Sequence, residues 1–123
     1  ILPNLLTRDI VSAINKTSAK VIYIVNIMTK YGETYGFKAH DFVRVIQENL
    51  GKTVIDYCVI NTELPTGQIL ERYEKDKEEP VIFDEKNFKN GVKIITGEFL
   101  RNGKFLRHNP QKLAKALSSI IEE

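Results

Sequence analysis

The sequence has a single cysteine, Cys58, set within the apolar run Val54 to Ile60 of a 123-residue chain. One thiol excludes an internal disulfide and fits a reducing compartment. Its strand setting reads as a buried, inert group rather than a reactive one. An excess of charge of one sign is also missing: 18 basic residues against 16 acidic leave a formal +2, spread along the chain. No basic stripe exists to follow a nucleic-acid backbone. No apolar run approaches the length that spans a bilayer, and no basic, apolar, small-residue segment opens the chain. The expectation is a soluble cytoplasmic protein with no nucleic-acid partner and no membrane insertion. Signatures of chemistry are absent too, with no HExxH, His-Cys cluster, phosphate-loop pattern or serine elbow.

What is present is an alternation of strand-like and helix-like runs. At 42% hydrophobic residues, a chain of this length is of single-domain size and can bury roughly two-thirds of its unfolded surface. Its start at Ile1-Leu2-Pro3, without a methionine or a leading strand, reads as a piece of something larger. Leu6, Ile10 and Ile14 recur every four positions and predict a first helix over Asn4 to Thr17. Val21 to Ile27 is almost continuously apolar and β-branched, as in a strand covered on both faces. Phe42, Val43, Ile46 and Leu50 then repeat at helical spacing, with Gly51 as the stop. Val54 to Ile60 repeats the strand signature and ends in Asn61-Thr62. Ile69, Leu70 and Tyr73 predict a short helix, and the charge run Lys75 to Glu79 reads as a solvated link. Pro80 to Phe83 is a short extended segment and Val92 to Ile95 a third strong strand. Asn102-Gly103 marks a turn that closes a hairpin or a flap. Asn109 caps a final helix with Pro110 at its first position and Leu113, Leu117, Ile120 and Ile121 on its inner side. This order predicts βα units and a mostly parallel sheet with helices on its faces.

In an open parallel sheet, ligands bind in the crevice outside the carboxyl ends of the strands. The segment NIMTKYGETYGFKAHD, Asn26 to Asp41, lies at such an end. Asn26, Thr29, Glu33 and Thr34 offer amide, hydroxyl and carboxylate groups suited to an oxygen-rich ligand, and Gly32 and Gly36 permit close backbone approach. Solvated turn residues are an equally good reading of the same pattern. Asn61-Thr62 and the region after Ile95 are expected on the same rim. His40 and Asp41 invite a metal or proton-shuttle reading, but without ligand spacing they fit a helix cap or surface better. Taken alone, Tyr73 reads as a packing residue and Arg107 as a surface cation. The alternatives are an aromatic face for a ring and a guanidinium fork for phosphate.

Five words in order change that balance: LPNLL at Leu2 to Leu6, Ala13-Ile14 in the first helix, VIYIVNIMTKYGET at Val21 to Thr34, HDFVRVI at His40 to Ile46, and RHNPQKLA at Arg107 to Ala114. Together they resemble the gluconeogenesis factor family, bacterial relatives of 2-phospho-L-lactate transferase, along nearly the whole chain. The loop departs from the family pattern at Lys30 and Tyr31, where glutamine and proline are expected.

The resemblance implies a Rossmann-like three-layer α/β fold, of which residues 1–123 are the C-terminal part, the glycine-rich front portion being absent from this sequence. It also implies a regulator linked to central carbon metabolism, cell-wall precursor supply and cell shape. Some such regulators bind uridine-diphosphate N-acetylglucosamine, and the resemblance implies Tyr73, the tyrosine of LERY, and Arg107, the arginine of RHNP, as the principal contacts, with Asn4, Asn26, Thr29, Glu33 and Thr34 as further ones. A regulatory protein partner and a homo-oligomer are compatible with that role, and no cofactor is required. The alternative is an enzyme resembling the transferase, with Mg²⁺ neutralising a diphosphate and Glu33 or Asp41 assisting.

Overall fold

The computed structural model describes residues 7–51, 54–88, 91–101 and 106–122. Its elements follow in the order α1 (Arg8–Lys16), β1 (Ile22–Ile24), α2 (Ala39–Leu50), β2 (Tyr57–Asn61), α3 (Gly67–Lys75), a 3₁₀ turn at Glu85–Asn87, β3 (Lys93–Gly97) and α4 (Pro110–Ile121). The three strands form one parallel sheet in the order β1-β2-β3. Register places Ile24, Val59 and Ile95 side by side, so all three carboxyl ends open onto one rim.

Side-chain alternation along the strands builds two cores, one on each face. Tyr23, Val25, Cys58 and Ile60 point to one face and are buried against Ala39, Phe42, Val43, Ile46 and Leu50 of α2, with Val11 and Ile14 of α1 and Ile94 packed alongside. Tyr57 and Val59 point to the other face and join Phe99 and Ile120, with Ile22, Ile24, Ile95, Leu113 and Leu117 around them. Helices on both faces of a parallel sheet make the three-layer α/β architecture that the alternating pattern predicts. No helix among the described residues is long and apolar enough to cross a membrane.

The strand ladders are shorter than the apolar runs that announce them. The run Val21 to Ile27 contributes only Ile22–Ile24 to the ladder. The Val25 amide donates once more to Val59, and the chain then leaves the sheet to meet the extended segment at Pro80: the Ile27 carbonyl accepts from the Val81 amide, and Met28 bridges Pro80 in antiparallel sense. At the start of β2, Asp56 ends the apolar segment by turning its carboxylate to the Val21 amide at 2.8 Å.

The helix ends follow local chemistry. Asp41 accepts from the Lys38 amide at 2.8 Å at the start of α2, and Gly51 closes that helix in the left-handed region at φ 72°, where a residue without Cβ carries no penalty. Asn109 accepts from the Gln111 and Lys112 amides at the start of α4. Two expectations change. Ile121 is 73% exposed, not inward, because the sheet-facing stripe of α4 runs through Leu113, Leu117 and Ile120 and the helix ends there. The first helix begins at Arg8, with Thr7 as its N-cap, rather than at Asn4; Asn4 to Leu6 lie outside the described residues, as does the Asn102-Gly103 turn. The arms of that turn do pair: the Arg101 amide donates to the Arg107 carbonyl, and Leu100 bridges His108.

Gly97 is required where β3 ends, since a Cβ there would stand 2.7 Å from the ring of Phe99, and that ring is buried. Gly97→Ala is expected to lower stability by about 1–3 kcal/mol through overpacking, measured by urea denaturation. The buried thiol and phenol beside α2 add a pH test. Burial pushes Cys58 up to about 12 from 9.0, and burial together with Cys58 pushes Tyr23 up to about 12 from 10.0. Both groups ionise first in the unfolded chain, so stability is intact below about pH 9 and is lost as pH rises towards 12. Denaturation midpoints should therefore fall between about pH 8 and about pH 10.5, and less so in Cys58→Ala.

Candidate functional site

Three segments that are far apart in sequence enclose an open cleft of about 430 Å³ at the carboxyl rim, lined by Ile24, Asn26, Ile27, Met28, Tyr73, Leu106, Arg107 and His108. The end of β1 supplies residues 24–28, α3 supplies Tyr73, and the segment leading into α4 supplies residues 106–108. Asn26, Tyr73 and Arg107, separate words in the sequence, thus meet in one hollow.

Each is held by the fold. Tyr73 accepts the Leu106 amide on its hydroxyl at 3.1 Å, which ties α3 to the segment before α4. Because that oxygen is engaged as an acceptor, the phenolic O–H is left to donate. Asn26 is exposed and accepts from the Tyr23 hydroxyl at 3.3 Å. Arg107 is exposed and positioned by its backbone pairing with Arg101. His108 lines the same cleft, and burial pulls its imidazole below the usual histidine range, against an opposing hydrogen bond to the Val25 backbone. The hollow therefore combines an apolar floor with an aromatic ring, an amide, an imidazole and a guanidinium, a set matched to a polar ligand bearing both a ring and negative charge.

The remaining sequence candidates stand outside this lining. Thr29 is only 2% exposed, and its hydroxyl accepts from the Glu79 amide at 3.0 Å while its own amide donates to the Glu79 carbonyl at 2.7 Å. It clamps the loop to the charged link after α3. That link, read from sequence as merely solvated, is a structural anchor. Lys77 within it has φ 59° and sets its ammonium 4.7 Å from the Tyr31 ring centroid. Tyr31 in turn meets Tyr35 edge-to-face at 5.7 Å. Thr34 accepts from the Lys30 amide at 2.7 Å and closes the turn, and exposed Glu33 pairs with Lys30 at 3.8 Å. His40 and Asp41 belong to the helix start, with Asp41 contacting His40 at 3.5 Å and Arg44 at 3.3 Å, as the capping reading holds. Asn4 lies outside the described residues.

Asn61 and Thr62 open onto the same rim but into a second hollow, of about 210 Å³, which they share with Ile27, Glu63, Leu64, Pro65 and residues 80–83. Asn61 is occupied there, accepting from the Phe99 amide at 3.0 Å and donating to the Glu63 carbonyl at 2.9 Å. The cleft residues that sequence reasoning passed over are Met28, Leu106 and His108. His108 stood in the RHNP word beside Arg107, and its Val25 contact is legible only once β1 and the α4 approach are adjacent.

A three-layer α/β protein with a polar cleft at the carboxyl rim of its parallel sheet is a ligand-binding class of fold. The family of 2-phospho-L-lactate transferase CofD matches residues 1–100, and the chain belongs to it. It is 38% identical over 119 residues to a gluconeogenesis factor of Halalkalibacterium halodurans, covering 95% of this chain and 37% of the relative. The gluconeogenesis factor of Bacillus subtilis is 34% identical over 125 residues, covering 100% of this chain and 39% of the relative. A crystal structure of a UPF0052-family protein from Bacillus halodurans superposes with a TM-score of 0.90 at 37% identity, covering 96% of this chain and 38% of that one. The chain thus spans less than two-fifths of the length of these relatives.

Thr29→Val, which keeps shape and removes the hydroxyl, leaves the Glu79 amide without its acceptor. The expected cost is about 0.5–1.5 kcal/mol, with faster amide exchange at Glu79 and Thr29 as the local readout.

Proposed function

We propose that this protein is a nucleotide-sugar-binding regulator of the uridine-diphosphate N-acetylglucosamine class, acting between central carbon metabolism, cell-wall precursor supply and cell shape. The observation that supports this reading is the meeting of Tyr73 and Arg107 with Asn26 in one cleft. These are the residues to which the family resemblance assigns ligand contact. An aromatic face suits the uracil or sugar ring, and a guanidinium presents paired donors to a diphosphate. Ligand seated between α3 and the segment before α4 would draw these elements together and alter the surface offered to a protein partner. The site lies in the cytoplasm on this reading, where the precursor is made.

A second reading, transfer of a phosphate-linked group, is favoured by the transferase name of the family. Among the described residues no group of three His, Cys, Asp or Glu side chains is placed to hold a metal ion. Glu33 is paired with Lys30 and Asp41 with the helix start, so these residues do not by themselves make a magnesium site. Turnover of nucleotide with a flavin-type acceptor that depends on added Mg²⁺ would favour the enzyme over the regulator.

Calorimetry on the intact protein with uridine-diphosphate N-acetylglucosamine tests the regulator directly. Arg107→Ala is expected to weaken binding by about ten- to a hundredfold, and Tyr73→Ala by a similar factor, with Tyr73→Phe retaining most of the affinity if the ring face is what matters. Absence of wild-type binding would defeat the proposal.

A further inference from the structure

Asn26 is the exposed polar residue that the end of β1 gives to the cleft. Burial alternates along this stretch: Tyr23, Val25, Ile27 and Thr29 are buried, whereas Ile24, Asn26 and Met28, all of which line the cleft, are the more open set. The Asn26 carboxamide is nonetheless tied to the buried set, because the Tyr23 hydroxyl donates to its Oδ1 at 3.3 Å. Burial fixes the direction of that bond. Tyr23 is only 7% exposed, and a phenolic proton away from water needs an acceptor. Asn26 is the one hydrogen-bond partner of that hydroxyl among the described residues. With the amide turned over, Nδ2 would donate to the phenol and the phenolic proton would be orphaned, a costly state. Burial also pushes the phenol up to about 12, so it stays a donor throughout the neutral range. An amide whose oxygen faces a buried phenol presents its two N–H groups on the opposite, exposed side, and no described residue accepts them.

We infer that Tyr23 is a positioning residue of the cleft: its buried hydroxyl holds the Asn26 amide with the N–H groups outward, where they donate to an oxygen of the nucleotide sugar's diphosphate. This rests on the regulator reading above and adds to it how one contact is oriented and which ligand atoms it recognises.

Three segments then bring donors to one ligand. The Tyr73 hydroxyl already accepts from the Leu106 amide at 3.1 Å, so its proton is left to give. Arg107 brings its guanidinium from the segment before α4, and Asn26 brings its amide from β1. Donors that converge from three directions suit the oxygen-dense, anionic part of the ligand, whose oxygens only accept. An amide already held in its binding orientation also loses less freedom when the ligand arrives.

The test is calorimetry on the intact protein with uridine-diphosphate N-acetylglucosamine at neutral pH. Tyr23→Phe keeps the ring in the core and removes only the hydroxyl, and the released amide should weaken binding by about three- to tenfold. Asn26→Ala should weaken it by about tenfold, and adding Tyr23→Phe to Asn26→Ala should cost nothing more, a non-additivity that a merely structural phenol does not produce. Asn26→Asp keeps an oxygen for the Tyr23 proton but replaces the outward N–H groups with a charged oxygen, so binding should fall at least about a hundredfold while circular dichroism shows the fold retained. A second measurement needs no variant: the Asn26 side-chain amide resonances should move on addition of the nucleotide sugar and also on addition of inorganic pyrophosphate. Wild-type affinity in Tyr23→Phe or Asn26→Asp, additive losses in the double variant, or resonances that ignore both ligands would each overturn the inference. Resonances that follow the nucleotide sugar but not pyrophosphate would overturn the assignment to the diphosphate. All of these leave the regulator reading standing, whereas no binding by the wild type removes both.

Discussion

Everything at the rim depends on the parallel pairing of β2 with strands on both sides. Tyr57, Cys58 and Val59 each have a partner on β1 and on β3, and Cys58 to Ile60 of this strand are fully buried. Parallel neighbours must run in the same direction, so each connection has to return along a face of the sheet. The loops that leave β1, β2 and β3 consequently emerge together. The clustering of polar residues at one edge is a product of the hydrogen-bonding direction in the core.

The loops are then held by a small number of polar ties rather than by further core. Thr29 grips Glu79, Asn61 and Glu63 grip the Phe99 to Leu100 segment, and the Tyr73 hydroxyl grips Leu106. Each tie joins a strand-end loop or helix to a piece of chain more than thirty positions away. A buried backbone amide with its acceptor removed carries a desolvation cost, so these side chains are conformational anchors even though their types look like ligand contacts. The same chemistry that makes Asn and Thr good recognition residues makes them good loop clamps.

That double use explains how much of the site the sequence allowed one to read. The parallel α/β architecture follows from apolar runs of strand length alternating with helical spacing, and the caps at Asp41, Gly51 and Asn109 follow from local backbone chemistry. Both signals are short-range, and both are present in the chain as written. Asn26, Tyr73 and Arg107 were identifiable as candidates from the family words, and the fold brings them together. Thr29, Glu33 and Thr34 were equally good candidates by type, yet the first faces Glu79, the second pairs with Lys30 and the third closes its own turn. Residue type does not reveal which partner wins.

The sequence by itself determined the alternation of strands and helices, the two-faced burial of the sheet, the buried setting of Cys58 and the caps of α2 and α4, since these rest on periodicity and on contacts within a few residues. Tertiary structure alone decided that the rim divides into two hollows, that the charged link after α3 fastens the loop, and that His108 joins Asn26, Tyr73 and Arg107 around the larger of them. Those outcomes depend on hydrogen bonds between segments remote in the chain. Their geometry exists only after the sheet has set the distance between them.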